Sequence, residues 1–85
     1  MVSIEIKVLG PGCANCKRLY AEAEKAVAQL SALAILTKVE DIRGIMAYKI
    51  LATPALVING EVKSAGRIPS STEITTWLAT AAMKQ

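Results

Sequence analysis

Both cysteines of this 85-residue chain fall in one short stretch, Gly10-Pro11-Gly12-Cys13-Ala14-Asn15-Cys16. Two thiols with two residues between them, at the first turn of a helix, can close a small disulfide ring and reopen it. The unpaired N–H groups of a helix start and the positive end of its dipole favour a thiolate. They lower the pKa of the leading cysteine and make it nucleophilic near neutral pH. The spacing therefore casts Cys13 as the attacking thiol. Cys16, one turn further in and on the apolar side of the helix, becomes the resolving thiol, which attacks a mixed disulfide at Cys13 and releases the reduced substrate. Lys17 and Arg18 follow directly and can favour the Cys13 anion further, although a solvated helix face explains them equally well.

The same pair admits other chemistry. A Cys-x-x-Cys on a loop leading into a helix also suits a soft-metal carrier of the Cu(I) type. Small copper-carrying domains usually place a methionine two residues before the first cysteine, where this chain has Pro11. Zinc needs four ligands, and with no histidine and two thiols a closed site requires a second chain. A third reading is an interaction module without redox activity, for which an inert, buried cysteine is the usual form. Redox cycling against tight stoichiometric metal uptake separates these readings.

The elements around the pair follow from periodicity. Val2 to Leu9 alternate strictly, with Val2, Ile4, Ile6 and Val8 on one face and Ser3, Glu5, Lys7 and Leu9 on the other, so this is a strand that Gly10-Pro11-Gly12 breaks. From Cys13 to about Leu30, the residues Cys16, Leu19, Tyr20, Ala23, Ala26, Val27 and Leu30 make one helical stripe, and Glu22 lies within ion-pair reach of Arg18 and Lys25. Ser31 to Ala34 connects to a second strand, in which Ile35, Thr37 and Val39 share a face, giving a right-handed βαβ unit. Asp41 caps a short helix to about Lys49 with Ile42, Ile45, Met46 and Ile50 as its buried side. Thr53-Pro54 leads into the apolar strand Ala55 to Ile58, Asn59-Gly60 predicts a two-residue type I′ hairpin, and Glu61 to Ala65 is the return strand. A capping box, Ser70 to Glu73, opens a last helix whose buried side is Ile74, Trp77, Leu78 and Ala81, extending to Ala82. Three helices cannot cover two sheet faces equally. If the first and last share one face, Glu5, Lys7, Leu36 and Lys38 look toward the thinly covered side, either with Glu5 paired to a lysine or all simply solvated.

Bulk composition narrows the function classes. Hydrophobic residues make 53% of the chain and charged ones 20%, which predicts a packed globule, read as a single domain over residues 1–85. The net charge of +3 comes from scattered basic residues with no basic run and no Phe, which argues against a nucleic-acid surface. No apolar run reaches membrane-spanning length, and Glu5 and Lys7 interrupt any signal-peptide core. The reading is a soluble, cytoplasmic protein and a monomer, with no nucleic-acid or membrane partner.

The element order, the Cys-x-x-Cys at the first strand-to-helix turn and Thr53-Pro54 ahead of the hairpin together resemble the thioredoxin/glutaredoxin fold. More narrowly, the chain is similar to the compact thioredoxin-like redox-active disulfide proteins of archaea and bacteria. The resemblance covers nearly all of the chain. It implies an α/β thioredoxin fold, β-α-β-α-β-β-α, with a four-stranded mixed sheet and three flanking helices. It implies a thiol-disulfide oxidoreductase acting on protein disulfides, with no bound cofactor and with electrons from a separate flavoprotein reductase. It also implies a cis Pro54 facing the disulfide and a Thr53 backbone that receives the extended substrate. Three departures stand out: Gly12 replaces the larger family members' tryptophan, Ala14-Asn15 replaces their Gly-Pro, and Lys7 stands where they carry a buried acid. The proton acceptor for Cys16 is then missing or has moved to Glu5. Use of glutathione is left open by these residues.

Overall fold

The computed structural model describes residues 4–12, 14–30, 34–50 and 52–83. The expectations for Val2, Ser3, Cys13 and the connection at 31–33 lie outside these residues. In chain order the elements are β1 (Ile4–Leu9), α1 (Ala14–Leu30), β2 (Ala34–Val39), α2 (Ile42–Met46), β3 (Ala55–Ile58), β4 (Glu61–Ala65) and α3 (Ser71–Met83). The four strands form one sheet in the order β2-β1-β3-β4. β1 pairs with β2 in parallel, through the α1 crossover, and with β3 antiparallel; β3 and β4 are joined by the Asn59-Gly60 hairpin. Both hairpin residues have positive φ, 51° at Asn59 and 82° at Gly60, as the type I′ turn requires.

α1 and α3 lie on one face of the sheet. Ile4, Ile6 and Val8 of β1 and Leu56 and Ile58 of β3 pack there against Leu19, Ala23 and Ala26 of α1 and Ile74 and Leu78 of α3. Glu22 of α1 accepts the Ser71 N–H at 3.0 Å, so the two helices are also tied where α3 begins. The predicted capping box is present and reciprocal: Ser70 N–H donates to Glu73 Oε2 at 3.0 Å, and Glu73 N–H to Ser70 Oγ at 3.2 Å. Trp77 is half-buried, with the Arg67 guanidinium 6.0 Å from its ring centre, and the buried stripe does not reach Ala82, which is exposed near the helix end.

Among the described residues, the opposite face buries Leu9, Ala55, Val57 and Ile45, flanked by Val39, Tyr48 and Ile50. Two expectations change here. α2 is one turn shorter than its pattern suggested. Asp41 caps it by accepting the Gly44 N–H, and Ile45 is buried, but Ile42 is 65% and Met46 68% exposed. The helix stops because Gly44 weakens so short a segment and Lys49 turns to φ 55°.

The second change concerns β2. The parallel register sets Leu36 beside Ile6 and Lys38 beside Val8. Leu36 and Lys38 therefore face α1, where Leu36 joins the main core and the Lys38 ammonium lies 4.6 Å from the Tyr20 ring centre. The thinly covered side instead receives Ile35, Thr37 and Val39. Strand alternation gave the periodicity of β2 correctly, but only its pairing with β1 decides which set faces in.

Candidate active site

β1 ends at Leu9 and the ladder runs one residue further, because Gly10 N–H donates to Val39 O at 3.0 Å. This bond holds the start of the Cys-x-x-Cys loop beside the C-terminal end of β2, so that Glu40, the next residue of β2's chain, lies alongside it. A right-handed parallel βαβ unit brings the two strands' C-terminal ends to the same edge of the sheet, which is where open α/β sheets hold their sites.

α1 begins at Ala14, immediately after Cys13 in the chain, and its first turn carries no acidic side chain. Cys16 is buried, 6% exposed, on the stripe that also buries Leu19, Ala23 and Ala26. Gly10 is packed directly on it: a Cβ at Gly10 would collide with Cys16 Sγ, approach Cys16 Cβ to 3.3 Å and meet Pro54 Cα at 3.9 Å. Only a residue without a side chain fits between Cys16 and Pro54. Gly12 is constrained differently, with φ 89° and a would-be Cβ 2.5 Å from Glu40 Oε2. The residue before Cys13 thus has both a backbone conformation that favours glycine and a carboxylate against it.

Thr53-Pro54 is a cis peptide, as the resemblance implies. Pro54 is buried and its carbonyl accepts the Gly66 N–H at 2.9 Å; Thr53 is exposed. The structure thus brings Cys16, Gly10 and Pro54 together at one end of the sheet, with Thr53 next to them in the chain. Cys13 is outside the described residues.

Glu5 is not part of this site. It lies on the thinly covered face, its side chain 59% exposed, with Lys7 Nζ 3.9 Å from its carboxylate. Lys7 in turn donates to the Tyr48 hydroxyl at 3.2 Å. The Lys7 pKa is raised above its ordinary value, first by that hydrogen bond and then by the charge interactions with Tyr48 and Glu5, so the ammonium stays charged at neutral pH. Three residues that sequence reasoning did not assign to the site lie beside Cys16 or line a cavity with it: Gly10, Lys38 and Glu40. A cavity of about 30 Å³, room for one water molecule, is lined by Cys16, Gly10, Gly12, Lys17, Lys38 and Glu40 together with Val8. The signal for Glu40 was available, since it is the first residue after the strand that runs parallel to β1.

The geometry defines a class before any sequence match is considered. The backbone matches the solved structure of thioredoxin-2, described as a component of malaria parasite protein secretion machinery, with a TM-score of 0.69 at 13% identity over 92% of this chain and 82% of that one. It matches the germline-specific thioredoxin Deadhead (thioredoxin-1) of Drosophila melanogaster with a TM-score of 0.64 at 14% identity, over 92% and 80% of the two chains. This is the thioredoxin fold, α/β with a four-stranded mixed sheet and three helices. In sequence, a family model described as a thioredoxin domain matches residues 4–79. A thioredoxin of Methanothermobacter thermautotrophicus is 37% identical over 71 residues, 84% of this chain and 92% of that protein. A thioredoxin of Methanocaldococcus jannaschii is 33% identical over 73 residues, 86% and 84% of the two. The chain belongs to the thioredoxin family, whose general chemistry is thiol-disulfide oxidoreduction. Among the described residues, no helix is long and apolar enough to cross a membrane.

Proposed function

We propose that the chain, acting as one domain and as a monomer in the reducing cytoplasm, passes two electrons between its Cys13/Cys16 pair and a disulfide in a partner protein. Cys13 attacks the partner disulfide, the partner's first sulfur leaves as a thiolate, and a mixed disulfide forms. Cys16 then attacks Cys13 Sγ, the mixed bond breaks, and the partner departs fully reduced while the pair closes. Thr53 and Pro54 border the substrate, with the Thr53 main chain offering hydrogen bonds to an extended segment, a mode that tolerates many side chains. No bound cofactor takes part, and a separate flavoprotein reductase reopens the Cys13/Cys16 disulfide.

One observation carries this reading: Cys16 is buried at the head of α1, with Gly10 alone between it and Pro54. A thiol held there is shielded from bulk oxidants yet adjacent in the fold to the residues before which a substrate must pass. In sequence Cys13 directly precedes α1, and a thiol at a helix start has its anion favoured by the first-turn N–H groups.

The test is reduction of insulin disulfides by the chemically reduced protein. Turnover is expected from wild type, none from Cys13→Ser, and a stable mixed disulfide from Cys16→Ser. A wild-type protein that leaves insulin intact and instead takes up Cu(I) stoichiometrically overturns the oxidoreductase reading in favour of metal carriage.

A further inference from the structure

The acid that the resemblance places six residues before Cys13 has no counterpart in β1, since Lys7 stands there and Glu5, like Lys7, lies on the thinly covered face, yet Cys16 must still lose a proton before it can attack. The charged and titratable groups around Cys16 can be taken element by element. From β1 and the loop after it, Val8, Gly10 and Gly12 contribute none; on α1 Lys17 is next in sequence; from the end of β2 come Lys38 and Glu40. Cys13 is the remaining titratable neighbour in sequence. Asp41, the other acid at this end of the sheet, is occupied in capping α2 at 3.2 Å.

We propose that Glu40 is the proton acceptor for Cys16, acting through one water in the cavity that the two residues share. This rests on the oxidoreductase reading above. The cavity of about 30 Å³ has room for water, and Cys16 and Glu40 both line it. The Gly10 to Val39 hydrogen bond fixes the main chain just before Glu40, and the exposed Glu40 side chain brings its Oε2 beside Gly12. Lys17 and Lys38 line the same space, and their charges offset the repulsion between a carboxylate and a nascent thiolate.

The step balances as follows. The Cys16 S–H proton passes to the water, whose own proton passes to the Glu40 carboxylate. The Cys16 thiolate forms a bond to Cys13 Sγ, the Cys13-to-partner S–S bond breaks, and its electron pair leaves on the partner sulfur. That sulfur is the base that finally recovers a proton, from Glu40 or from solvent, and Glu40 returns to its charged form.

The experiment mixes reduced protein with excess 5,5′-dithiobis(2-nitrobenzoate) and follows the released thionitrobenzoate. The first equivalent reports attack by Cys13 and depends on reagent concentration; the second reports resolution by Cys16 and does not. In Glu40→Gln the first phase is expected to match wild type and the second to be slower by about 10-fold at neutral pH, at the lower edge of what a positioned base contributes. The gap should close as pH rises past the Cys16 pKa, because the thiolate then forms without help. Glu40→Asp, which keeps a carboxylate, should recover part of the rate. A second phase that is unchanged, or slowed equally at every pH, overturns the role of Glu40. If wild type itself releases no second equivalent, the failure lies with the oxidoreductase reading and takes this one with it.

Discussion

Gly10→Ala is the substitution in which packing and chemistry are most tightly joined. The added methyl would occupy the space of Cys16 Sγ, with Cys16 Cβ at 3.3 Å and Pro54 Cα at 3.9 Å closing the other directions. Restoring van der Waals contact requires the sulfur to withdraw by about 1 Å or more, because the proline and the β1 backbone are held by the sheet. Overpacking of this kind costs typically about 1–3 kcal/mol. A domain of this length has roughly 4–13 kcal/mol of stability, so the variant should remain folded. At about 4–8 °C per kcal/mol, a 2 kcal/mol loss lowers the melting temperature by roughly 8–16 °C. The larger effect falls on turnover. A reacting atom displaced by about 1 Å can lose around 100-fold in rate, and the displaced atom here is the sulfur proposed to resolve the mixed disulfide. The assay is thermal unfolding by circular dichroism beside insulin reduction at a temperature where the variant is fully folded. Gly60→Ala supplies the control: nothing lies within 4 Å of its would-be Cβ, so only the strain of φ 82° is added. That strain costs about 1–2 kcal/mol and should leave turnover untouched. Folded Gly10→Ala protein that reduces insulin as fast as wild type would refute the argument that Gly10 positions Cys16.

Two further predictions follow from the surroundings of the site. Glu22 and Glu73 have pKa values held below the ordinary 4.5, Glu22 first by the hydrogen bond from Lys25 and then by the Ser71 N–H, Glu73 first by the Ser70 N–H and then by Arg67. Folded values below unfolded ones mean a stabilising contribution that is complete above the ordinary carboxylate range and lost as pH falls through the lowered values, so Glu22→Gln with Glu73→Gln should flatten the fall in stability below pH 4.5, and an unaltered acid limb in urea titrations would contradict this. In α2, Ile45→Ala should cost about 2 kcal/mol, whereas Ile42→Ser and Met46→Ser should each stay within about 0.5 kcal/mol of wild type; equal losses at all three positions in urea unfolding would mean that the helix buries its whole apolar side.

The order of elements was legible because each boundary has a local cause: Gly10-Pro11-Gly12 after β1, Asp41 before α2, Asn59-Gly60 between β3 and β4, Ser70 and Glu73 at the start of α3. What could not be read were choices made by pairing. The alternation of Leu36 and Lys38 with Ile35, Thr37 and Val39 is equally good with either set inward, and the register with β1 alone selects Leu36 for the core. The pattern Ile42, Ile45, Met46 promised a helical stripe, but a five-residue helix has length to bury only one of them. Site residues followed the same division. Cys16 and Pro54 announce themselves by type and motif, while Gly10 and Glu40 matter only through what the fold lays beside them.

The contrast between the sheet's two faces also explains why Lys7 can stand where a larger relative buries an acid. An ionised or even a neutral carboxyl group at that position would require a dry covering layer to perturb its pKa and direct its proton. Among the described residues, the cover on that face comes from α2 and the turn after it, with Ile45 buried and Tyr48 and Ile50 beside it. A half-exposed strand position under so thin a cover suits a cation that keeps its charge, and Lys7 is provided with a hydroxyl acceptor in Tyr48 and a neighbouring carboxylate in Glu5. On the proposed role of Glu40, proton handling for Cys16 comes from the face that α1 covers, where Cys16 is buried. Among the described residues that line the cavity, Glu40 at the end of β2 is the acid, brought there because the parallel strand finishes beside the loop that leads into α1.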